Sequence, residues 1–178
     1  TCRSLWFCAT DQRRQNCHQR HGAYAARRNR GLISVRALLD TSILIALLDA
    51  SHIHHPLVTQ WLPANASAGW ASCPITLNGC VRILSQPNYP NRLPMSTVVG
   101  GLRRAMQSPL HEFWADDINT VTSDKIDWNY TIRPAQLTDA YLLALAVSHG
   151  GRLVTLDKGI ALACVPGASP SHLVSLGQ

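Results

Sequence analysis

Three aspartates sit where apolar runs stop or start. Asp40 closes Val35-Arg-Ala-Leu-Leu and is followed at once by Thr41 and Ser42. Asp157 closes Arg152-Leu-Val-Thr-Leu in the same way, ahead of Lys158-Gly159. Asp139 opens the long apolar run from Ala140 to Val147. An aspartate has little structural reason to interrupt the run at 35–39, so Asp40 reads as functional. The competing role, a simple cap for the helix that follows, is made less necessary by the hydroxyls of Thr41 and Ser42. Carboxylates gathered in one place repel one another unless a cation neutralises them, and hard oxygen donors suit Mg2+ or Mn2+. A hydrated divalent ion held this way orients and activates water and stabilises charge on a phosphodiester oxygen. Metal-dependent phosphodiester hydrolysis is the chemistry that the set points to.

The elements that must position these residues follow from the apolar pattern. Val35 to Leu39 reads as a short buried strand of a parallel sheet. Thr41 or Ser42 then caps a helix from Ile43 to about Asp49. Asp40 therefore stands at the carboxyl end of a strand, where open α/β sheets bind their ligands. Thr138 to Val147 is a helix apolar nearly all round, hence buried, and Gly150-Gly151 stops it. Asp139 lies in its first turn, where the helix dipole favours negative charge. Arg152 to Asp157 is again a strand ending in a carboxylate. In a parallel sheet the ends of strands and the starts of helices share one edge, so Asp40, Asp139 and Asp157 can converge there.

The intervening chain supplies the rest of the scaffold. Ser51 to Pro56 opens a helix that runs through Leu57, Val58 and Trp61 to Leu62, and Pro63 to Gly69 reads as a loop. Trp70 to Pro74 reads as a second strand, and Thr76 begins a helix containing Val81, Ile83 and Leu84. Gln86 to Asn91 is a turn-rich surface loop. Ser96 to Gln107 is a helix whose Arg103 and Arg104 form a solvated face. His111 to Trp114 is a short strand before the acidic turn Asp116-Asp117, and His172 to Leu176 is a last strand. Alternation of strand and helix predicts a parallel α/β sheet with helices on both sides.

Two groups that look like metal sites carry less weight. His52, His54 and His55 crowd a helix start, but neighbours on a helix diverge, so they read as solvent-facing or packing residues. Cys2, Cys8, Cys17, His18 and His21 are numerous enough to hold zinc, yet their spacing matches no common zinc site. The chain has six cysteines and no CxxC pair, which suits reduced thiols in a cytosolic protein.

Charge divides the chain. Residues 1–36 hold eight arginines against one acid, Asp11, whereas residues 37–178 hold eight basic residues against nine acids. The formal net charge of +6 thus belongs to the first segment, and it makes no general case for nucleic-acid binding. Residues 1–34 show no clean period. A basic arm, an organelle transit peptide and an extension without order of its own compete there, and the last is the expectation. Residues 35–178 then form one domain, a size that buries a sizeable core. No apolar run reaches the roughly 18 residues that span a bilayer, so a soluble, cytoplasmic protein is expected.

Four stretches, in order, resemble the PIN-domain ribonucleases called VapC toxins. They are Leu38-Leu-Asp-Thr-Ser-Ile-Leu-Ile-Ala-Leu-Leu, Cys73-Pro-Ile-Thr-Leu-Asn-Gly-Cys-Val-Arg-Ile-Leu-Ser-Gln-Pro, Leu137-Thr-Asp-Ala-Tyr-Leu-Leu-Ala-Leu-Ala and Gly151-Arg-Leu-Val-Thr-Leu-Asp-Lys-Gly-Ile. The likeness runs from Val35 to the C-terminus. It implies a three-layer α/β/α fold around a mostly parallel sheet of four to five strands. It also implies a Mg2+-dependent RNA-cleaving toxin, held inactive by a cognate antitoxin and often a homodimer. Asp40, Asp139 and Asp157 fall on three of the family's usual four acidic positions, as catalytic residues and metal ligands. Arg82 and Lys158 are candidate phosphate contacts beside those motifs. At the fourth acidic position, where such proteins commonly carry Glu, this chain has Leu77. That departure keeps a second reading open, a PIN-fold module that binds an antitoxin or RNA without cutting it.

Overall fold

The computed structural model describes residues 35–130 and 133–177; the expectations for residues 1–34, including the Cys2, Cys8, Cys17, His18 and His21 set, lie outside the described residues. The described residues hold five strands: β1 (Ala37–Leu39), β2 (Trp70–Ser72), β3 (His111–Phe113), β4 (Arg152–Thr155) and β5 (Leu173–Ser175). They form one sheet in the order β3-β2-β1-β4-β5, and every neighbouring pair is parallel. The helices are α1 (Thr41–Leu48), α2 (His55–Asn65), α3 (Pro74–Leu84), α4 (Met95–Met106) and α5 (Leu137–Ser148).

Successive side chains along the inner strands enter different cores, as the period of two requires. Ala37, Leu39, Trp70 and Val154 join a cluster roofed by α1 to α4, including Ile43, Val58, Cys80, Leu84 and Leu102. Leu38, Ala71 and Leu153 join the other cluster with α5 and Trp114. A sheet buried on both faces reads as apolar without alternation, which is why the strands are short unbroken runs. The result is the three-layer α/β/α arrangement expected, with five parallel strands among the described residues.

In α5, every residue from Ala140 to Ala146 is buried. Such a helix is held by packing on all sides, and truncating Leu143 to Ala is expected to cost about 2–5 kcal/mol. It ends where the glycines predict. Gly150 takes φ +61°, the Gly150 N–H bonds the Val147 carbonyl at 3.0 Å, and the Gly151 N–H bonds the Ala146 carbonyl at 2.8 Å. This left-handed stop returns the chain directly into β4.

Three boundaries differ from expectation: α2 starts at His55 rather than Ser51, Pro74 starts α3 rather than ending β2, and α2 runs on past Leu62. Residues 63–65 continue α2 rather than forming a loop, with Pro63 inside the helix. Proline withholds the one N–H that would reach the Thr59 carbonyl. The end is closed regardless by Asn65 Nδ2 donating to the Trp61 carbonyl at 2.9 Å and by the Ala66 N–H donating to the Leu62 carbonyl at 2.9 Å. Among the described residues, no helix is long and apolar enough to cross a membrane.

Candidate active site

β1 delivers Asp40 to the carboxyl edge of the sheet. Its backbone stays extended (φ −61°, ψ 160°), and Oδ1 accepts from the Thr41 N–H at 2.6 Å. Asp40 itself is therefore the cap of α1, which corrects the expectation that Thr41 or Ser42 would fill that role. The reason is local: the Ser42 hydroxyl turns back and donates to Asp40 Oδ2 at 2.6 Å. Capping and standing at the strand end are not alternatives here, because one half-buried carboxylate does both.

β4 joins the same network from the neighbouring strand. Thr155 Oγ1 donates to Asp40 Oδ2 at 2.9 Å and accepts from the Asp157 N–H at 3.0 Å. Ser42 Oγ accepts from the Leu156 N–H at 3.2 Å, so the start of α1 is stitched to the end of β4 twice. Asp157 lies exposed on the turn that follows, its Oδ1 accepting from the Gly159 N–H at 2.6 Å.

Asp139, half-buried in the first turn of α5, completes the group. Burial pushes its carboxyl up to about 6, with the charges of Asp40 and then Asp157 adding to the effect. The three aspartates are thus within electrostatic reach of one another. None of them has a basic partner among the described residues. The salt bridge found there, Arg36 Nε to Glu112 Oε2 at 2.7 Å, involves none of them.

That unbalanced negative charge, on oxygen donors alone, fits a hard cation. The fit is to a hydrated ion rather than a closed cage. No three His, Cys, Asp or Glu side chains among the described residues stand close enough to enclose a metal. Mg2+ commonly keeps several waters and takes only one or two carboxylates.

The chain is similar to known proteins. The PIN domain family model matches residues 37–165. Ribonuclease VapC44 of Mycobacterium tuberculosis is 47% identical over 142 residues, covering 80% of this chain and 100% of that protein. This chain is a VapC-type member of the PIN-domain family. Ribonuclease VapC38 of the same organism is 41% identical over 128 residues, covering 70% of this chain and 86% of that protein. The crystal structure of M. tuberculosis VapC20, a sarcin-ricin loop cleaving toxin, aligns with a TM-score of 0.44 at 14% identity, over 65% of this chain and 85% of that one.

In this VapC-type chain, Leu77 packs half-buried against the α1–α4 core. It lines an apolar cleft of about 570 Å3 between α3 and α4, together with Val81, Val99, Leu102 and Met106; none of the three aspartates lines it. Asn78, next to it, is exposed. Arg82 is exposed in the last turn of α3, and Lys158 is exposed beside Asp157. The histidines are structural: His55 Nδ1 lies 2.7 Å from the Ala46 carbonyl, and the His52 and His54 rings tilt 5.6 Å apart.

Three residues around the aspartates have no signal in the sequence, and Ser42, expected only as a cap, has a further role. Thr155 and Ser42 hold Asp40, and Gln136 Nε2 donates to the Gly159 carbonyl at 2.7 Å. Gly79 lets α3 lie against the start of α1, since a β carbon there would stand 2.7 Å from Thr41 Oγ1. Nothing in the local sequence marks Thr155, Gln136 or Gly79.

Proposed function

We propose that this VapC-type PIN protein is a Mg2+-dependent endoribonuclease, the toxin of a type II toxin–antitoxin pair, hydrolysing RNA phosphodiester bonds. The observation that supports the reading is that Asp139 feels the charges of Asp40 and Asp157 while none of the three has a basic partner among the described residues. The VapC relatives, named ribonucleases, support the same reading. Asp40 and Asp139 would hold the ion and Asp157 would bind it directly or through water. A bound Mg2+ supplies Lewis-acid polarisation of a phosphoryl oxygen and lowers the pKa of a water it holds. Thr41, Ser42 and Thr155 fix the Asp40 carboxylate before any ligand arrives, so little reorganisation is needed at the moment of reaction. Lys158, exposed beside Asp157, would be the candidate phosphate contact.

RNA is then the substrate, and a cognate antitoxin protein the partner that restrains it. A homodimer and a cytoplasmic location accompany this reading. The silent-module alternative rested on Leu77 and is not favoured, because the three remaining aspartates keep the electrostatic arrangement on which a cation depends. The test is an RNA-cleavage assay with purified chain across a Mg2+ titration. Cleavage that rises with Mg2+, stops on chelation and is absent in Asp40→Asn is expected. Cleavage indifferent to chelation would overturn the metal dependence, and no cleavage at any Mg2+ concentration would return the silent module.

A further inference from the structure

We propose that Gln136 is a positioning residue that sets the spacing between Asp139 and Asp157. The proposal rests on the reading of these carboxylates as a cation site. Gln136 immediately precedes α5, three residues before Asp139. Both ends of its side-chain amide are used. Oε1 accepts from the Arg133 N–H at 3.0 Å, closing the short 3-10 turn Pro134–Gln136 that leads into the helix. Nε2 donates to the Gly159 carbonyl at 2.7 Å. The Gly159 N–H in turn donates to Asp157 Oδ1 at 2.6 Å. One neutral side chain therefore ties the start of the helix that carries Asp139 to the turn that carries Asp157.

The tie works against a repulsion. Asp40 and Asp157 both act on Asp139, and no cationic side chain among the described residues pairs with any of them. Like charges push the start of α5 away from the turn after β4, and the Gln136–Gly159 bond opposes that separation. An amide suits the task because it donates to a carbonyl without adding charge. A Lys would neutralise the carboxylates, and a Glu would face the Gly159 carbonyl with another acceptor and deepen the negative charge. Gly159 suits the other side of the seam, since a β carbon there would crowd Asp157 Oδ1 at 3.2 Å. Groups that orient metal ligands from behind typically matter by about 10–100-fold in metal affinity or activity.

The test is Mn2+ binding to the full chain without RNA, by calorimetry or electron paramagnetic resonance, beside melting curves with and without Mg2+. Gln136→Ala is expected to weaken Mn2+ binding about tenfold. Its melting temperature without metal should change little, because the lost bonds are exposed. Gln136→Met keeps the length of the side chain without its amide and should behave alike, which guards against a folding defect in one variant. Asp139→Asn marks the loss that the cation reading itself requires. If Asp139→Asn loses Mn2+ while both Gln136 variants bind like the parent, the proposal is overturned and the cation reading stands. A lower melting temperature with unchanged Mn2+ affinity would show a merely structural bond and overturn it too. A parent chain that binds no Mn2+ overturns both.

Discussion

Thr155 Oγ1 donates to Asp40 Oδ2 at 2.9 Å and receives the Asp157 N–H at 3.0 Å. A single hydroxyl thus holds two of the three aspartates in fixed relation. Thr155 is completely buried, so removing its hydroxyl leaves both partners facing an apolar side chain.

Thr155→Val, nearly the same shape without the hydroxyl, should therefore lower stability by about 1–3 kcal/mol, the usual cost of leaving a buried polar partner unpaired. Urea unfolding measures it. Thr155→Ser should retain most of the stability and the cleavage. A valine variant as stable as its parent would show that the hydroxyl holds nothing.

Asp40→Asn should leave the chain folded, because asparagine caps helices about as well as aspartate. RNA cleavage and growth inhibition should be lost, by about tenfold at the least and in the cell completely. Circular dichroism beside a cleavage assay checks both parts. Undiminished cleavage would remove Asp40 from the site.

Asp139 gives a pH prediction. Its folded carboxyl is raised from an ordinary 3.8 to about 6, chiefly by burial. The folded state thus holds the proton more tightly than the unfolded chain does. The stability contributed by this group is full below the unfolded value and is lost as pH rises through about 6. Without divalent ions, Asp139→Asn should melt above the parent at pH 7, and the gap should close toward pH 4. Added Mg2+ should raise the parent more than the variant. A gap that does not change with pH would contradict the placement of Asp139.

Leu77→Glu separates packing from ligation. Leu77 lines the α3–α4 cleft, which no site aspartate lines, so a glutamate should lower the melting temperature by placing charge against apolar neighbours. The Mg2+ needed for half-maximal cleavage should stay where it was. A fall in that requirement, without loss of stability, would mean that position 77 reaches the carboxylates and supplies the acid that VapC-type proteins commonly have there.

The sequence was most legible where one segment carried its own signal. Asp40 and Asp157 each end an unbroken apolar run, and α5 is framed by Asp139 at one end and Gly150-Gly151 at the other. All five strands and five helices could be located from such runs. What could not be read were bonds between segments. Thr155 looks like any β-branched strand residue until the sheet order brings it beside Asp40, and Gln136 looks like any polar residue before a helix. Gly79 shows nothing of its closeness to Thr41, because a missing β carbon leaves no pattern in the chain. Pro63 was misread for the opposite reason: its local signal for a break is strong, but the helix end had other donors to close it.

The sheet order β3-β2-β1-β4-β5 has a consequence for how the protein is made. Synthesis delivers β1, β2 and β3 first, and these three strands are already mutual neighbours. Asp40 emerges with them, early. Its hydroxyl partner on β4 lies 115 residues further along, and Asp157 follows that strand. A ribosome that stalls before β4 therefore releases a chain with half a sheet, one unclamped aspartate and no second strand-end carboxylate. Since domains fold as units, and β1 needs β4 on its open side, the carboxylate edge comes into being only once β4 has been made. The clamping of Asp40 by Thr155 therefore waits on the docking of β4.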